Sequence, residues 1–437
     1  FLLMRVLHIT NNDYDGAGRA VIRSHKSLLE LGIDSNVALV FCKNAEKDNK
    51  ILRIGYGETL KTFLLDLIAF KIALNYSNYL DIFYFLRIKI YEKVFLTFHK
   101  PTSLYNFNYG FSRHSQLKKY IKDYDVIVLH SLQGVLNPND IVQIHKEFKV
   151  KIIIHPLDME AITGGCHFND ECGGWKQLCG NCPQIKSNKF QDVSMRSFID
   201  KKNSYKHIPI HWVATNTFMQ KRLIESPIVS SSHKVSKILL GVDSDRYQFI
   251  SQRIARDSFG LPQDKKIILF GCFNLNDKRK GAALLKEVLR EHLNKECLEN
   301  ACLVTFGNLN GFSFSGLDLE WIHLGELLTD SKMNYLYRSA DLLVSPSIDD
   351  LGPAIVVEAF MNDLQIVSFN LGVAMDIIVD DLNGNIIECF NLKKFGLSIS
   401  NIIMNEVKNF MLHKDIKGIY KQCKSNEEAS IFIEKCL

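Results

Sequence analysis

"DLLVSPSIDDLGPAIVVEAFMN", residues 341–362, reads as a buried strand, a short acidic loop and an apolar helix. Gly352 permits close backbone approach, and Pro353 suits a first helical turn, where its missing N–H goes unused. Strand, loop and helix in that order make one unit of an open parallel sheet, whose ligands sit at the carboxyl ends of the strands. Free amides of the turn that Gly352, Pro353 and Ala354 open, with the helix dipole, form an anion pocket. Glu358 is the lone carboxylate in the helix, flanked by Val356, Val357, Ala359 and Phe360. A buried carboxylate requires donors. A vicinal diol such as a ribose supplies two, beyond a phosphate held at the helix start; a neighbouring Lys or Arg is the alternative partner. Asp350 then faces whatever is attached beyond the phosphates.

The same alternation extends in both directions. "MRVLHIT", the loop "NNDYDGAG" and the helix-patterned "RAVIRSHKSLLELG", closed by Gly32, open the chain. The strands "SNVALVF", "DVIVLH", "VKIIIHP", "IHWVATN" and "SKILLGVD" follow, and the pattern restarts at "KKIILFGC". Two consecutive doubly wound α/β domains are predicted, as a length of 437 residues also suggests. The boundaries are placed at 1–243 and 244–410, with a helical tail, 411–437, that packs back on the first domain.

Composition narrows the class. Hydrophobic residues make up 46% and charged residues 23%, with a formal charge of +5, the balance of an ordinary globular protein. So mild a charge does not argue for nucleic acid; it suits a protein that handles anionic small molecules or touches an anionic membrane. Eleven cysteines, an odd count in a long chain, argue against a secreted disulfide framework. "FLLMRVLHIT" reads as a first strand rather than a signal peptide, so the expected location is cytoplasmic. Charges interrupt the apolar insert at 60–99 before it reaches the roughly 20 residues a spanning helix needs. It is expected to form a helix pair, either packed as core or lid or touching lipid at the inner face of the cytoplasmic membrane.

A second element points to the same ligand. "GCFNLNDKRKGAALL" follows a strand and opens a helix, with Lys278, Arg279 and Lys280 clustered in the connection. Cations at a helix N-terminus oppose the macrodipole unless an anion neutralises them. A diphosphate does so through charge-assisted hydrogen bonds; a solvated turn is the alternative.

With these residues in view, the chain resembles the family-four glycosyltransferases of the GT-B fold, two Rossmann-like domains facing each other across a cleft. The family's acid-x7-acid element matches Asp350 and Glu358, which implies that Glu358 holds the nucleotide ribose and Asp350 lies near the donor sugar. Its Lys-Gly pair matches Lys280-Gly281, with Arg279 alongside, and implies a grip on the donor diphosphate. "LLGVD" resembles the family's interdomain turn, with Leu240 in place of Asn and Gly241 retained, and Gly16 and Gly18 of "DYDGAG" match its glycine loop. As a dinucleotide fingerprint that loop fails, because position 21 is Val. The usual Gly-x-Pro after the acidic helix is Asp363-Leu364-Gln365, and the later Gly-Gly survives only as Gly372-Val373. The resemblance implies a retaining transferase that moves a sugar from a nucleoside diphosphate, UDP foremost, to a saccharide or lipid-linked saccharide, with no catalytic metal. A nucleotide-sugar-binding protein with weakened catalysis and a GT-B phosphorylase or epimerase are the alternatives.

"TGGCHFNDECGGWKQLCGNCPQI", within the loop 163–185, holds Cys166, Cys172, Cys179 and Cys182 at C-x5-C-x6-C-x2-C spacing. Four thiolates satisfy a tetrahedral structural zinc ion. Two disulfides or four free thiols remain as alternatives, and a redox or metal sensor built on the loop is a further reading. The segment resembles a cysteine-containing insert of a bacterial surface-polysaccharide subgroup, in which a His-Asp-Met-Trp run precedes it. Here the run is Leu157-Asp158-Met159-Glu160, with His155 two places earlier. Asp158, His155 and His130, which ends a strand, are the acceptor-side candidates.

Overall fold

The computed structural model describes residues 4–42, 48–54, 104–106, 114–132, 135–244, 250–326, 329–404 and 413–437. The apolar insert at 60–99 lies outside them. No helix among the described residues is long and apolar enough to cross a membrane.

The chain divides into two compact units. Unit 1 comprises residues 1–215, 219–238 and 429–437; unit 2 comprises 216–218 and 239–428. Unit 1 carries β1 (Arg5–Asn12), β2 (Asp34–Phe41), β3 (Ile51–Arg53), β4 (Val126–Leu129), β5 (Lys151–Ile154), β6 (Ile210–Ala214) and β7 (Lys234–Lys237). They form one parallel sheet in the order β3-β2-β1-β4-β5-β6-β7. β4 and β6 are buried along their whole length, as strands covered on both faces must be. The helix Gly16–Glu30 between β1 and β2 ends before Gly32, whose φ of +81° only glycine adopts without strain.

Unit 2 repeats the plan with β8 (Lys266–Asn274), β9 (Ala301–Asn308), β10 (Glu320–His323), β11 (Leu342–Ser345), β12 (Gln365–Phe369) and β13 (Gly384–Ile387). The parallel order is β10-β9-β8-β11-β12-β13. The order reverses where β8 meets β11, and the loops leaving those two strands are the ones singled out above. That crevice is the switch point at which open α/β sheets bind ligands.

Several sequence expectations need correction. "SKILLGVD" is not one strand: β7 ends at Lys237, and Leu239 and Val242 are apolar because they enter the core of unit 2. The division therefore falls at 238/239 rather than 243/244. Only 429–437 of the tail belongs to unit 1, where Ala429, Phe432 and Cys436 pack with Val6, Val128 and Ile153. Residues 413–428 belong to unit 2, and Glu428 accepts the Gly241 amide there at 2.7 Å.

Candidate functional site

In unit 2, two loops lock together at the carboxyl ends of β8 and β11. The turn after β8 begins with Asp277, whose Oδ1 accepts the Arg279 amide at 3.1 Å. Gly281 follows in the left-handed region, at φ +75°. An added Cβ there would stand 1.9 Å from the Pro346 carbonyl oxygen, so glycine lets the turn lie flat on the loop after β11. The Ile348 amide donates to the Arg279 carbonyl at 2.8 Å, and the Arg279 guanidinium donates to the Asp349 carbonyl at 3.2 Å.

The interlock sets the charges. Lys280 Nζ donates to Asp350 Oδ2, and the Gly352 amide donates to Asp350 Oδ1 at 3.1 Å. Burial alone would raise the Asp350 carboxyl. The Lys280 charge and hydrogen bond, the Gly352 amide and the Arg279 charge outweigh it and hold the group below its ordinary value. Arg279 also pairs with Asp277 at 2.5 Å. Protein carboxylates therefore already face Arg279 and Lys280, a partnership the sequence reading assigned to an incoming anion.

The helix Ala354–Met361 starts beside this pair. Pro353 is its N-cap, with extended backbone (φ −62°, ψ 111°), rather than a residue of the first turn, and no side chain caps the amides that follow. Ala354, the first residue of the helix, is exposed, whereas the Gly352 amide is already taken by Asp350. Glu358, four residues on, is half-buried; its Oε2 accepts the Tyr337 hydroxyl at 2.7 Å, and it has no ion pair among the described residues. Asn362 donates to the Glu358 carbonyl at 2.9 Å. Asn216 donates to the Leu351 carbonyl, and Thr217 donates from its amide and hydroxyl to Asp376 at 2.7 and 2.6 Å, which ties residues 216–217 to this end of unit 2. Tyr337, Asn216 and Thr217 were missed in sequence, and no spacing rule could have found them, because they meet the site only through the fold.

Unit 1 arranges the other candidates differently. Asp15 caps the helix at Gly16, and Gly18 is required by the chain itself: a Cβ there would lie 2.2 Å from the Asn12 carbonyl oxygen. Gly16 alone of the two has open space beside it. His130 and His155 are buried in a cluster with His8 and His25. His8 Nδ1 and His130 Nε2 share a 2.9 Å hydrogen bond, and the His130 and His155 rings lie 5.2 Å apart. Asp158 accepts from His167 at 2.7 Å and from the Glu160 amide at 2.8 Å. Burial would lower the His167 imidazolium, but the Asp158 and Glu160 carboxylates reverse that and raise it.

Behind this dyad Lys201, fully buried, donates to Glu160 Oε1 at 2.7 Å and to the Thr163 carbonyl at 3.1 Å, while Asn106 donates to the same Oε1 at 2.9 Å. Removing one partner of a buried pair strands the other charge. Lys201→Met should lower unfolding free energy by about 3 kcal/mol, read as a lower urea midpoint. An unchanged midpoint would show that Glu160 is taken up by other donors.

Cys166, Cys172, Cys179 and Cys182 are free thiols that line one small cavity. Among the described residues no three His, Cys, Asp or Glu side chains are already drawn together as metal ligands.

Comparison with known proteins agrees with this fold. Residues 251–419, fewer than half of the chain, match the family model for glycosyl transferases group 1. The whole chain is similar in structure to sucrose-phosphate synthase from Thermosynechococcus elongatus, with a TM-score of 0.64 at 14% identity over 99% of this chain and 98% of that one. It is equally similar to Anabaena HepE in complex with UDP and glucose, with a TM-score of 0.64 at 13% identity and the same coverage. A glycosyltransferase from Rickettsia africae gives 0.61 at 14% identity, over 99% and 98%. The fold is GT-B. Comparison with curated proteins returned no match.

Proposed function

We propose that the chain is a retaining glycosyltransferase. It moves a sugar from a nucleoside diphosphate, UDP being the first candidate, to a hydroxyl of a saccharide or lipid-linked saccharide in surface-polysaccharide synthesis. The supporting observation is the conjunction at one end of unit 2 of the Lys280–Asp350 pair, the uncapped start of the helix Ala354–Met361, and Glu358 held by Tyr337. The match of residues 251–419 to the glycosyl transferases group 1 model and the UDP-bound state of HepE agree with it. The same reading puts the protein in the cytoplasm, at the inner face of the membrane where lipid-linked acceptors are held.

The chemistry follows from charge. As the glycosidic bond to the diphosphate breaks, the leaving group gains negative charge. Lys280, Arg279 and the amides at the helix start would stabilise it electrostatically without an obligatory metal ion. Asp350, released from Lys280 as phosphate takes the ammonium, would accept hydrogen bonds from the donor sugar. Glu358 would accept from both ribose hydroxyls, with Tyr337 holding its carboxylate in place. Asp158, His130 and His155 are proposed on the acceptor side.

A panel of nucleotide sugars, followed by thermal shift and by transfer to saccharide acceptors, tests the reading. One donor should raise the melting temperature and be consumed with an acceptor; stabilisation without turnover would make the chain a binding protein. Glu358→Ala should reduce donor kcat/KM roughly 50-fold, mostly through KM, because it removes charge-assisted hydrogen bonds together worth about 2 kcal/mol. Unchanged donor KM would remove Glu358 from the ribose.

A further inference from the structure

The cysteines of the loop in unit 1 are given no role in the proposed sugar transfer, and we infer that their four thiolates bind one structural zinc ion. Between β5 and the helix Val193–Tyr205 the chain makes no strand and only three single-turn helices, Glu160–Ile162, Gly174–Lys176 and Pro183–Ile185. Its own apolar cluster is small: Tyr105, Cys166, Cys182, Ile185 and Val193. A stretch so long and so poor in regular structure needs a staple.

All four cysteines line the same cavity, of about 20 Å³, which is room for one atom of water size. The turn that joins the last two is built for this. Gly180 (φ +140°) and Asn181 (φ +48°) both take left-handed conformations, which reverses the chain and brings Cys179 and Cys182 to one side. A Cβ on Gly180 would lie 2.3 Å from the Phe190 carbonyl oxygen, so the reversal needs glycine twice over.

Backbone amides already serve two of the sulfurs. The amides of Gln184 and Ile185 act on the Cys182 sulfur and the Gly164 amide on Cys179, while the Thr163 hydroxyl fixes the loop by donating to the Cys166 carbonyl at 2.8 Å. Donors directed at sulfur favour the thiolate and orient it, which is the outer-shell pattern of a metal site. Asp192 anchors the frame by accepting the Cys182 amide at 2.9 Å.

Three of the four cysteines are buried, and the cavity that all four line has room for a single ion. Four S–H bonds break, four protons leave to solvent, and four thiolates close on Zn²⁺ as a tetrahedral site with no open position. The thiols do not yet stand at ligand spacing, so rotation of the side chains onto the ion is part of binding.

The test uses the full chain, untagged and purified from zinc-supplemented cells. Metal analysis should find one zinc per chain, and exchange with Co²⁺ should give the intense visible bands of a tetrahedral tetrathiolate. Cys172→Ser, at the most exposed of the four, should lose the tetrathiolate spectrum, whereas Cys389→Ser should keep it. Should Cys172→Ser not fold, thiol modification of the unaltered protein should release one zinc to a chromogenic chelator. Metal-free protein with four titratable thiols, two disulfides by mass spectrometry, or a weak octahedral cobalt spectrum would each overturn the assignment.

Discussion

Lys280→Ala should lower turnover by roughly 100- to 1,000-fold, the effect of removing one preorganised donor from a developing anion. Two separate losses are expected. The first is transition-state charge stabilisation, which appears in kcat and in kcat/KM alike. The second is structural, because Asp350 is buried and Lys280 is the strongest influence holding its carboxylate charged. Its stabilising pair is fully present above the unfolded carboxyl value and is lost as pH falls through the lower folded value. With Lys280 gone, Asp350 keeps the Gly352 amide and the Arg279 charge, and its carboxyl should rise. A double variant separates the two losses. Lys280→Ala with Asp350→Asn removes the stranded charge and should recover the urea midpoint of the parent protein while turnover stays low. Recovery of turnover along with stability would mean that Lys280 serves only to hold the loop.

The parts of this site legible in sequence were those whose chemistry is local. A helix start after an acidic loop, a Lys-Gly turn after a strand and a lone carboxylate at fixed spacing are each written in adjacent residues. So is the alternation of strand and helix that gives two parallel sheets. What stayed hidden depends on packing between distant segments. The Lys280–Asp350 pair joins residues 70 apart, and Tyr337 reaches Glu358 from a neighbouring helix. Gly18 was matched to the family's glycine loop, and the Asn12 carbonyl by itself already requires a glycine there. Leu239 and Val242 were read as strand because burial in a second core produces the same apolar run as a sheet. His130 was read alone, although its meaning changes once His8 and His155 pack on it.

That histidine cluster makes unit 1 sensitive to acid. His8, His25, His130 and His155 are buried, and none is hydrogen-bonded or ion-paired to a carboxylate among the described residues; His25 Nδ1 bonds Ser35 at 2.8 Å. Burial pushes His25 and His155 down to about 4 and His8 and His130 well below the ordinary imidazole value. For a histidine depressed in the folded state, the unfolded chain binds the proton first. Stability is therefore full above about pH 6.5 and is lost as pH falls from there toward the folded value. Between pH 7 and pH 5 each of His25 and His155 should remove on the order of 2 kcal/mol, with His8 and His130 adding in the same direction. The raised His167 works against this, since its pairing with Asp158 is complete on the acid side. Asp350 and Asp158 titrate at lower pH and do not enter this window. Urea midpoints at pH 7, 6 and 5 should fall steadily, and His155→Gln should flatten the slope, because it removes one titrating group while keeping a polar side chain of similar size. A midpoint independent of pH across that range would show that the imidazoles take up protons without leaving the core, and that burial does not decide their charge.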